Sequence, residues 1–179
     1  STGLGMAITQ NIVNMMSGTI AVDTKRDVGT TFSVTIPLRI CDDIRDEKYH
    51  TNFEKLNVLI VDDDITACNH AKMVLDRAKI KSDFVLSGDE AIEKVKQSFC
   101  TDNPYNIVLV DWKMPQMDGI ELTSRLRESS VGKDLAIILT TYNWYEIMED
   151  ALKAGVDAFL SKPLFAGSIK DELDKIITE

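Results

Sequence analysis

Residues 58–64 read VLIVDDD, four apolar residues that end at three consecutive aspartates. A run this short and this apolar, extended back to Leu56, predicts a strand that is buried on both faces of a sheet. The three aspartates then lie at the carboxyl end of that strand. In open α/β sheets, functional groups collect at this end.

After this strand, four more short apolar strands are predicted toward the C-terminus. Each of the five strands is followed by a predicted helix. Short apolar runs alternate with helical spacing, which predicts an α/β fold with a doubly wound, five-stranded parallel sheet. The predicted strands are 56–61, 82–86, 106–110, 135–140 and 158–161. The predicted helices are 65–79, 87–99, 119–128, 144–154 and 168–178.

Charged and hydroxyl side chains follow the other strands of this sheet. Asp111 directly follows the third strand, Thr141 the fourth and Lys162 the fifth. A solvated loop in which Asp64 caps the next helix would explain the acidic triplet alone. A second acid on a neighbouring strand is unfavourable unless a cation neutralises the cluster, and Mg²⁺ prefers oxygen ligands. Such a cation, with a lysine and a hydroxyl, stabilises phosphoryl transfer to a carboxylate.

Three motifs resemble those of the response-regulator receiver family. They are VLIVDDD at 58–64, VLVDWKMPQMDG at 108–119 and the pair Lys162-Pro163. The resemblance covers residues 56–179 and implies the flavodoxin-like (βα)5 fold of that family. It also implies a Mg²⁺-dependent receiver in a two-component phosphorelay.

The resemblance implies a magnesium site around the phosphorylated aspartate. By position, Asp111 is the phospho-acceptor and also a metal ligand, and Asp63 is a direct metal ligand. Asp62 corresponds to a ligand that acts through water. The backbone carbonyl of Lys113 corresponds to a further contact with the metal.

The same resemblance implies a phosphoryl-binding and switching set. Lys162 corresponds to the lysine that binds a phosphoryl oxygen, and Thr141 to the hydroxyl that swings toward the phosphate. Phe159 corresponds to the aromatic ring whose rotamer follows that threonine, and the bond before Pro163 is expected to be cis. One position departs from the family: Tyr142 stands where a small residue is usual, and it either narrows the site or points to a partner.

The first 38 residues carry a different pattern. Apolar residues at helical spacing predict a helix over 4–17, and two alternating runs predict a β-hairpin with strands at 19–24 and 31–38. With the glycines before the helix, this arrangement resembles the end of a histidine-kinase ATP-binding domain. Glycines at a helix start let backbone N–H groups approach phosphates, so Gly3 and Gly5 are candidate ATP contacts in the intact parent kinase.

Together the two resemblances indicate a C-terminal fragment of a hybrid histidine kinase. Its expected segments are an ATP-binding-domain remnant at 1–38, a linker at 39–55 and the receiver at 56–179. The phosphorylatable histidine and most of the ATP site have no counterpart here, so enzymatic activity of the fragment itself is left open. His50 and His70 match no motif of either family and are expected at the surface.

The apolar faces of residues 1–38 cannot be buried within so short a segment. An isolated hairpin is marginal in water, and its open edges invite pairing with another chain. We therefore expect a homodimer through this segment, with docking on the receiver as the alternative.

Charge and cysteine content narrow the classes of function. A net charge of -9 repels nucleic acid and anionic lipid, so neither is an expected partner. Cys41, Cys68 and Cys100 are few, odd in number and widely spaced, which favours a reducing cytoplasm over a disulfide framework or a zinc site. No run approaches the ~18 apolar residues of a membrane helix, so direct membrane contact is not expected of this fragment, and anchoring of the parent is left open.

Three functions then compete. The first is a receiver that takes its phosphoryl group from a histidine-phosphorylated kinase domain, with a histidine phosphotransfer protein as a candidate for onward transfer. The second is a nucleotide-binding catalytic fragment, which the missing motifs disfavour. The third is a degenerate receiver that acts as an interaction or dimerisation module, which the complete set of Asp63, Asp111, Thr141 and Lys162 disfavours.

Overall fold

A computed structural model of the chain describes residues 4–38 and 52–178. The chain divides into two compact units, Ser1–Arg45 and Asp46–Glu179. Gly3, His50, Cys41 and most of the expected linker lie outside the described residues.

The first unit is a helix followed by a two-stranded antiparallel hairpin. Helix α1 spans Leu4–Met15, strand β1 spans Thr19–Lys25 and strand β2 spans Gly29–Thr35. The hairpin turns at Asp27 and Gly29, which both have positive φ. The predicted helix and hairpin are therefore present, with bounds that differ from the predicted ones by one to three residues.

The face of α1 that packs differs from the expected apolar stripe. Val13 is 4% exposed, and Gly18 lies so close to it that an added Cβ would come within 3.0 Å of its side chain. By contrast Ile8, Ile12 and Met15 of the stripe are all exposed. The spacing identified a helix correctly, but the stripe faces away from the hairpin because the hairpin covers only the side on which Val13 lies.

The second unit contains a five-stranded sheet flanked by helices. The strands are β3 Asn57–Val61, β4 Lys81–Val85, β5 Ile107–Asp111, β6 Ala136–Thr141 and β7 Ala158–Ser161. The helices are α2 Ile65–Arg77, α3 Gly88–Ser98, α4 Gly119–Glu128, α5 Met148–Ala154 and α6 Ala166–Thr178. All pairings are parallel and the strand order is β4-β3-β5-β6-β7, so the order reverses between β3 and β5. The predicted doubly wound parallel fold is confirmed.

The sheet separates two apolar cores. One contains the inner faces of α2 and α6, and the other those of α3, α4 and α5. Strand β3 is buried along its whole length, as its continuous apolar run predicts. Phe53 and Leu56 join the first core, so Phe53, which lies in the expected linker, packs as part of this unit.

Capping side chains fix where the helices begin. Asp64 accepts from the N–H of Thr66 at 2.7 Å, and Asp118 accepts from the N–H of Glu121 at 2.8 Å. These bonds satisfy N–H groups that have no partner within the helix. Helix α5 begins at Met148, four residues after its predicted start at Trp144, because residues 142–147 form a turn before it. Within the described residues, no helix combines the length and apolarity that crossing a membrane requires.

We predict that Gly119→Ala destabilises this unit by about 1–3 kcal/mol, the usual cost of overpacking. A Cβ at Gly119 would lie 2.6 Å from the Asp111 carbonyl oxygen and 2.7 Å from Leu139 Cδ1. Gly167→Ala in α6 is the matched control, because nothing lies within 4 Å of its added Cβ. Urea unfolding should show a loss for the first variant only, and equal free energies of unfolding would contradict the packing argument.

Candidate functional site

A cleft of about 520 Å³ opens at the carboxyl ends of β3, β5, β6 and β7. Its polar wall includes Asp62, Asp63, Asp111 and Lys162, and its apolar part includes Leu164. The location follows from topology, because adjacent loops leave the sheet toward opposite faces where the strand order reverses. The structure therefore brings together the acids and the lysine that the sequence predicts.

Lys162 joins two carboxylates that belong to different strands. Its Nζ lies 2.6 Å from Asp62 Oδ2 and 2.7 Å from Asp111 Oδ1. The three side chains are only 15%, 8% and 12% exposed, respectively. Charge-assisted hydrogen bonds of this length are strong and well oriented. The ammonium group therefore fixes the separation of the two acids.

The second oxygen of each buried carboxylate is held by the backbone. Asp62 Oδ1 accepts from the N–H of Asp64 at 3.0 Å, and Asp111 Oδ2 accepts from the N–H of Lys113 at 3.2 Å. Beneath them, Cys68 Sγ donates to the Asp62 carbonyl oxygen at 3.4 Å. Burial raises the pKa of the Cys68 thiol to about 11, so this group stays a protonated donor. Both acids are thus anchored from two sides.

Burial and the neighbouring charges have opposite effects on the pKa values of Asp111 and Lys162. Burial raises the pKa of the Asp111 carboxyl, and the charge of Asp62 adds to this effect, while hydrogen bonding and attraction from Lys162 lower it; the net shift is upward. For Lys162, burial lowers the pKa, but the hydrogen bonds and charges of Asp111 and Asp62 outweigh burial and raise it. The lysine is therefore held charged, and the ionised form of Asp111 gains from any further cation.

Three carboxylates are close enough to share one metal ion. Asp62, Asp63 and Asp111 each present an oxygen, and these oxygens lie within 4.8 Å of one another. Asp63 is exposed, so this side of the cluster opens to water. Hard oxygen donors with room for water ligands suit Mg²⁺. Lys113 lies beside the cluster through its N–H, and the role of its carbonyl stays a prediction.

The Thr141 hydroxyl is turned toward the chain that follows it. Its Oγ1 accepts from the N–H of Asn143 at 3.3 Å and lies 3.5 Å from the Asn143 carbonyl oxygen. Of the described residues, Thr140 lines the cleft and Thr141 does not. Thr141 still adjoins the lysine, because the Lys162 N–H donates to its carbonyl oxygen at 2.9 Å. Contact of its hydroxyl with a phosphate stays a prediction.

The remaining predicted residues surround this arrangement. Phe159 lies half-buried in β7, and its ring centroid is 5.9 Å from that of Trp144. Tyr142 lines the cleft but is 82% exposed, so it stands at the rim and leaves the interior open. The bond between Lys162 and Pro163 is cis, as predicted.

One predicted site residue, Gly5, lies in the other unit, and one residue of the cleft was not predicted. Gly5 lies in the first turn of α1, in the other unit, where its carbonyl accepts from Thr9 Oγ1 at 2.9 Å. The ATP roles of Gly5 and Gly3 stay predictions. His70, which is expected at the surface, is partly exposed, and it lines the cleft, a position that was not predicted for it from the sequence. Helical spacing from Asp63 through Thr66 to His70 is the signal that could have placed it there.

Comparisons with known proteins agree with this geometry. The family model described as "Response regulator receiver domain" matches residues 58–174. Over 180 residues the chain is 30% identical to the sensor protein EvgS of Escherichia coli (strain K12), covering 98% of this chain and 14% of that protein. It is 28% identical to the autoinducer 2 sensor kinase/phosphatase LuxQ of Vibrio vulnificus (strain YJ016), covering 96% of this chain and 20% of that protein.

A solved structure supports the fold independently. The receiver domain of sensor histidine kinase PA1611 from Pseudomonas aeruginosa PAO1 matches with a TM-score of 0.59 and 24% identity, over 69% of this chain and 98% of that one. The chain spans between a seventh and a fifth of the length of the two sensor proteins above. With the family model matching most of its length, the chain belongs to the response regulator receiver family and contributes a receiver domain to two-component phosphorelay signalling.

Proposed function

We propose that this receiver takes a phosphoryl group from a phosphohistidine onto the carboxylate of Asp111. The observation that carries the proposal is the position of Lys162, whose ammonium group lies 2.7 Å from Asp111 and 2.6 Å from Asp62. An anchored carboxylate beside a fixed cation is poised to act as a nucleophile toward an anionic group. The open cleft above it admits that group.

The residues of the chain supply positioning and charge for an in-line transfer. An oxygen of Asp111 forms the new bond to phosphorus as the bond between phosphorus and the histidine nitrogen breaks, and the departing imidazole keeps that electron pair. The ammonium group of Lys162, which pairs with the Asp111 carboxylate before the transfer, is placed to pair with a phosphoryl oxygen as negative charge moves there. The N–H of Lys113 holds the second oxygen of Asp111, so the carboxylate keeps its orientation. Positioning and charge stabilisation account for most of the catalysis in this class of reaction.

Asp62, Asp63 and Asp111 are the proposed ligands of a magnesium ion. Their oxygens are mutually close, and their combined charge exceeds that of the single lysine. When bound, the ion would neutralise charge on the transferred group. The PA1611 receiver was solved with a magnesium ion coordinated in its active-site cleft, which supports the same assignment here.

The source of the phosphoryl group is proposed from the relatives. EvgS and LuxQ are sensor proteins several times longer than this chain, and the match with EvgS covers nearly all of it. We propose that the parent is a hybrid histidine kinase whose ATP-binding domain includes residues 1–38. We propose that this part of the parent lies in the cytoplasm. Its histidine-phosphorylated kinase domain would be the donor, and a histidine phosphotransfer protein the onward acceptor.

Self-association is a second proposed property, and the first unit favours it. Within that unit Ile8, Ile12, Phe32 and Val34 are each about half exposed. Apolar side chains on both a helix and a hairpin in so small a unit mark a surface that association can cover. We propose that a second copy of the unit covers it in the isolated chain.

We predict that Asp111→Asn abolishes phosphoryl uptake and preserves the fold. The amide keeps the volume of the carboxylate but is a poor nucleophile. Asp76→Asn is the matched control, because Asp76 is an exposed acid on α2 and is not among the residues that line the cleft. Intact mass after incubation with a phosphohistidine donor should show a phosphorylated control and an unmodified Asp111→Asn; equal labelling would refute the assignment.

We predict that Asp63→Ala weakens Mg²⁺ binding by at least about tenfold, since it deletes a ligand. It also stabilises the metal-free protein slightly, because it relieves repulsion within the carboxylate cluster. Asp76→Ala, an exposed acid on α2, controls for the change in net charge. Titration of Mg²⁺ followed by Trp112 fluorescence measures the affinity, and an unchanged affinity in Asp63→Ala would contradict the ligand set.

We predict that the isolated chain is a dimer at micromolar concentration and that Ile12→Asp makes it monomeric. The added charge on an exposed apolar face disfavours its burial. Asn11→Asp places the same charge on a neighbouring position of α1 and should leave the dimer intact. Light scattering gives the mass, and a monomeric starting protein would exclude the dimer.

A further inference from the structure

Residues 142–147 form a turn between β6 and α5 that is held by its own hydrogen bonds and by one to Thr141. The Asn143 N–H donates to Thr141 Oγ1, and Asn143 Nδ2 donates to Glu146 Oε1 at 3.2 Å. The Ile147 N–H donates to the Trp144 carbonyl oxygen at 3.2 Å, which closes the turn before α5 begins. The Thr141 hydroxyl is therefore engaged by the same segment that carries Trp144.

Trp144 packs this turn against strand β7 of the sheet. Its ring is stacked on Phe159, with 5.9 Å between centroids and 27° between planes. On its other side it stacks on Tyr145, with 4.0 Å between centroids and 21° between planes. Phe159 packs against the second core, whereas Tyr145 is 75% exposed. Trp144 is thus the central ring of a stack that runs from the core to the surface.

We infer that Trp144 is a positioning residue for the phosphoryl-accepting site, because its stack on Phe159 holds the turn in which the Thr141 hydroxyl is bonded to Asn143 and turned from the cleft. The inference rests on the proposed function of Asp111. The hydrogen bond of the Thr141 side chain is made with Asn143 and does not itself involve Trp144. The stack supplies the restraint that keeps the turn closed.

Opening of this turn costs free energy when a phosphoryl group binds. For the Thr141 hydroxyl to contact a phosphoryl oxygen, its bond to the Asn143 N–H must break and the turn must shift. Aromatic pairs and hydrogen bonds each contribute modest free energies, and together they favour the closed turn. Loss of Trp144 lowers the cost of opening, so a bound phosphoryl group should be held more tightly.

Opening of the turn would also change the protein surface around Tyr145. Because Trp144 lies between Phe159 and Tyr145, any shift of the turn changes the contacts of both outer rings. Tyr145 is exposed, so its displacement alters the surface next to the cleft. The stack therefore connects occupancy of Asp111 with a surface that a partner can read.

The test uses beryllofluoride with Mg²⁺ as a mimic of the phosphoryl group on Asp111. Trp144→Ala should bind the mimic about threefold to tenfold more tightly than the wild type in calorimetry, the range expected when one aromatic pair no longer opposes binding. Trp144→Phe keeps a stacked ring and should bind like the wild type. In a Trp112→Phe background, emission from Trp144 should change when the mimic binds.

A double-mutant cycle with Thr141→Ala separates positioning from general loosening of the fold. If Trp144 acts through the Thr141 hydroxyl, Trp144→Ala has no effect on affinity when Thr141 is already alanine. An equal gain in both backgrounds, or no gain in Trp144→Ala alone, overturns the inference while wild-type binding stands. Absence of binding to the wild type overturns the proposed function, and the inference with it.

Discussion

The whole site depends on one ammonium group that lies between two buried carboxylates. Lys162 follows β7, whereas Asp111 ends β5 and Asp62 follows β3, so the lysine reaches past β6 to contact acids on the next two strands. Two buried carboxylates at this separation repel strongly in the absence of a cation. The lysine removes part of this cost. A third acid, Asp63, then leaves the cluster with more negative than positive charge, and the most direct way to balance it is a divalent cation from solvent.

This arrangement is possible because the scaffold beneath it is rigid. The strands that carry the charged residues are short and apolar, and helices cover both of their faces. Loops at the carboxyl ends therefore start from fixed points, and the helix cap at Asp64 with the close approach at Gly119 fixes their next residues as well. Apolar packing thus determines where the charges stand, and the charges determine what the cleft can bind.

The sequence predicted those parts of the fold that follow from local pattern. Continuous apolar strands and helical spacing located the sheet and its helices, and strand ends located Asp62, Asp111 and Lys162. It failed where tertiary contacts decide the outcome. Helix α5 starts later than predicted, after a turn in which the Trp144 ring stacks on Phe159 of β7. Helix α1 buries Val13 because the hairpin lies on that side. Periodicity along one segment cannot show which neighbour that segment meets.

His70 and Thr141 show the same limit within the site itself. His70 reaches the cleft only because α2 places it about two turns beyond Asp63, a relation that no motif records. Thr141 holds the position expected from the resemblance, yet its hydroxyl is bonded to Asn143, since a free hydroxyl next to an unpaired backbone N–H gains by pairing with it. Position in the sequence therefore assigns a residue to the site, whereas the state of that residue depends on the bonds available before a ligand arrives. In this receiver those bonds belong to the turn after β6, so the resting conformation of that turn is as much a part of the site as the carboxylates.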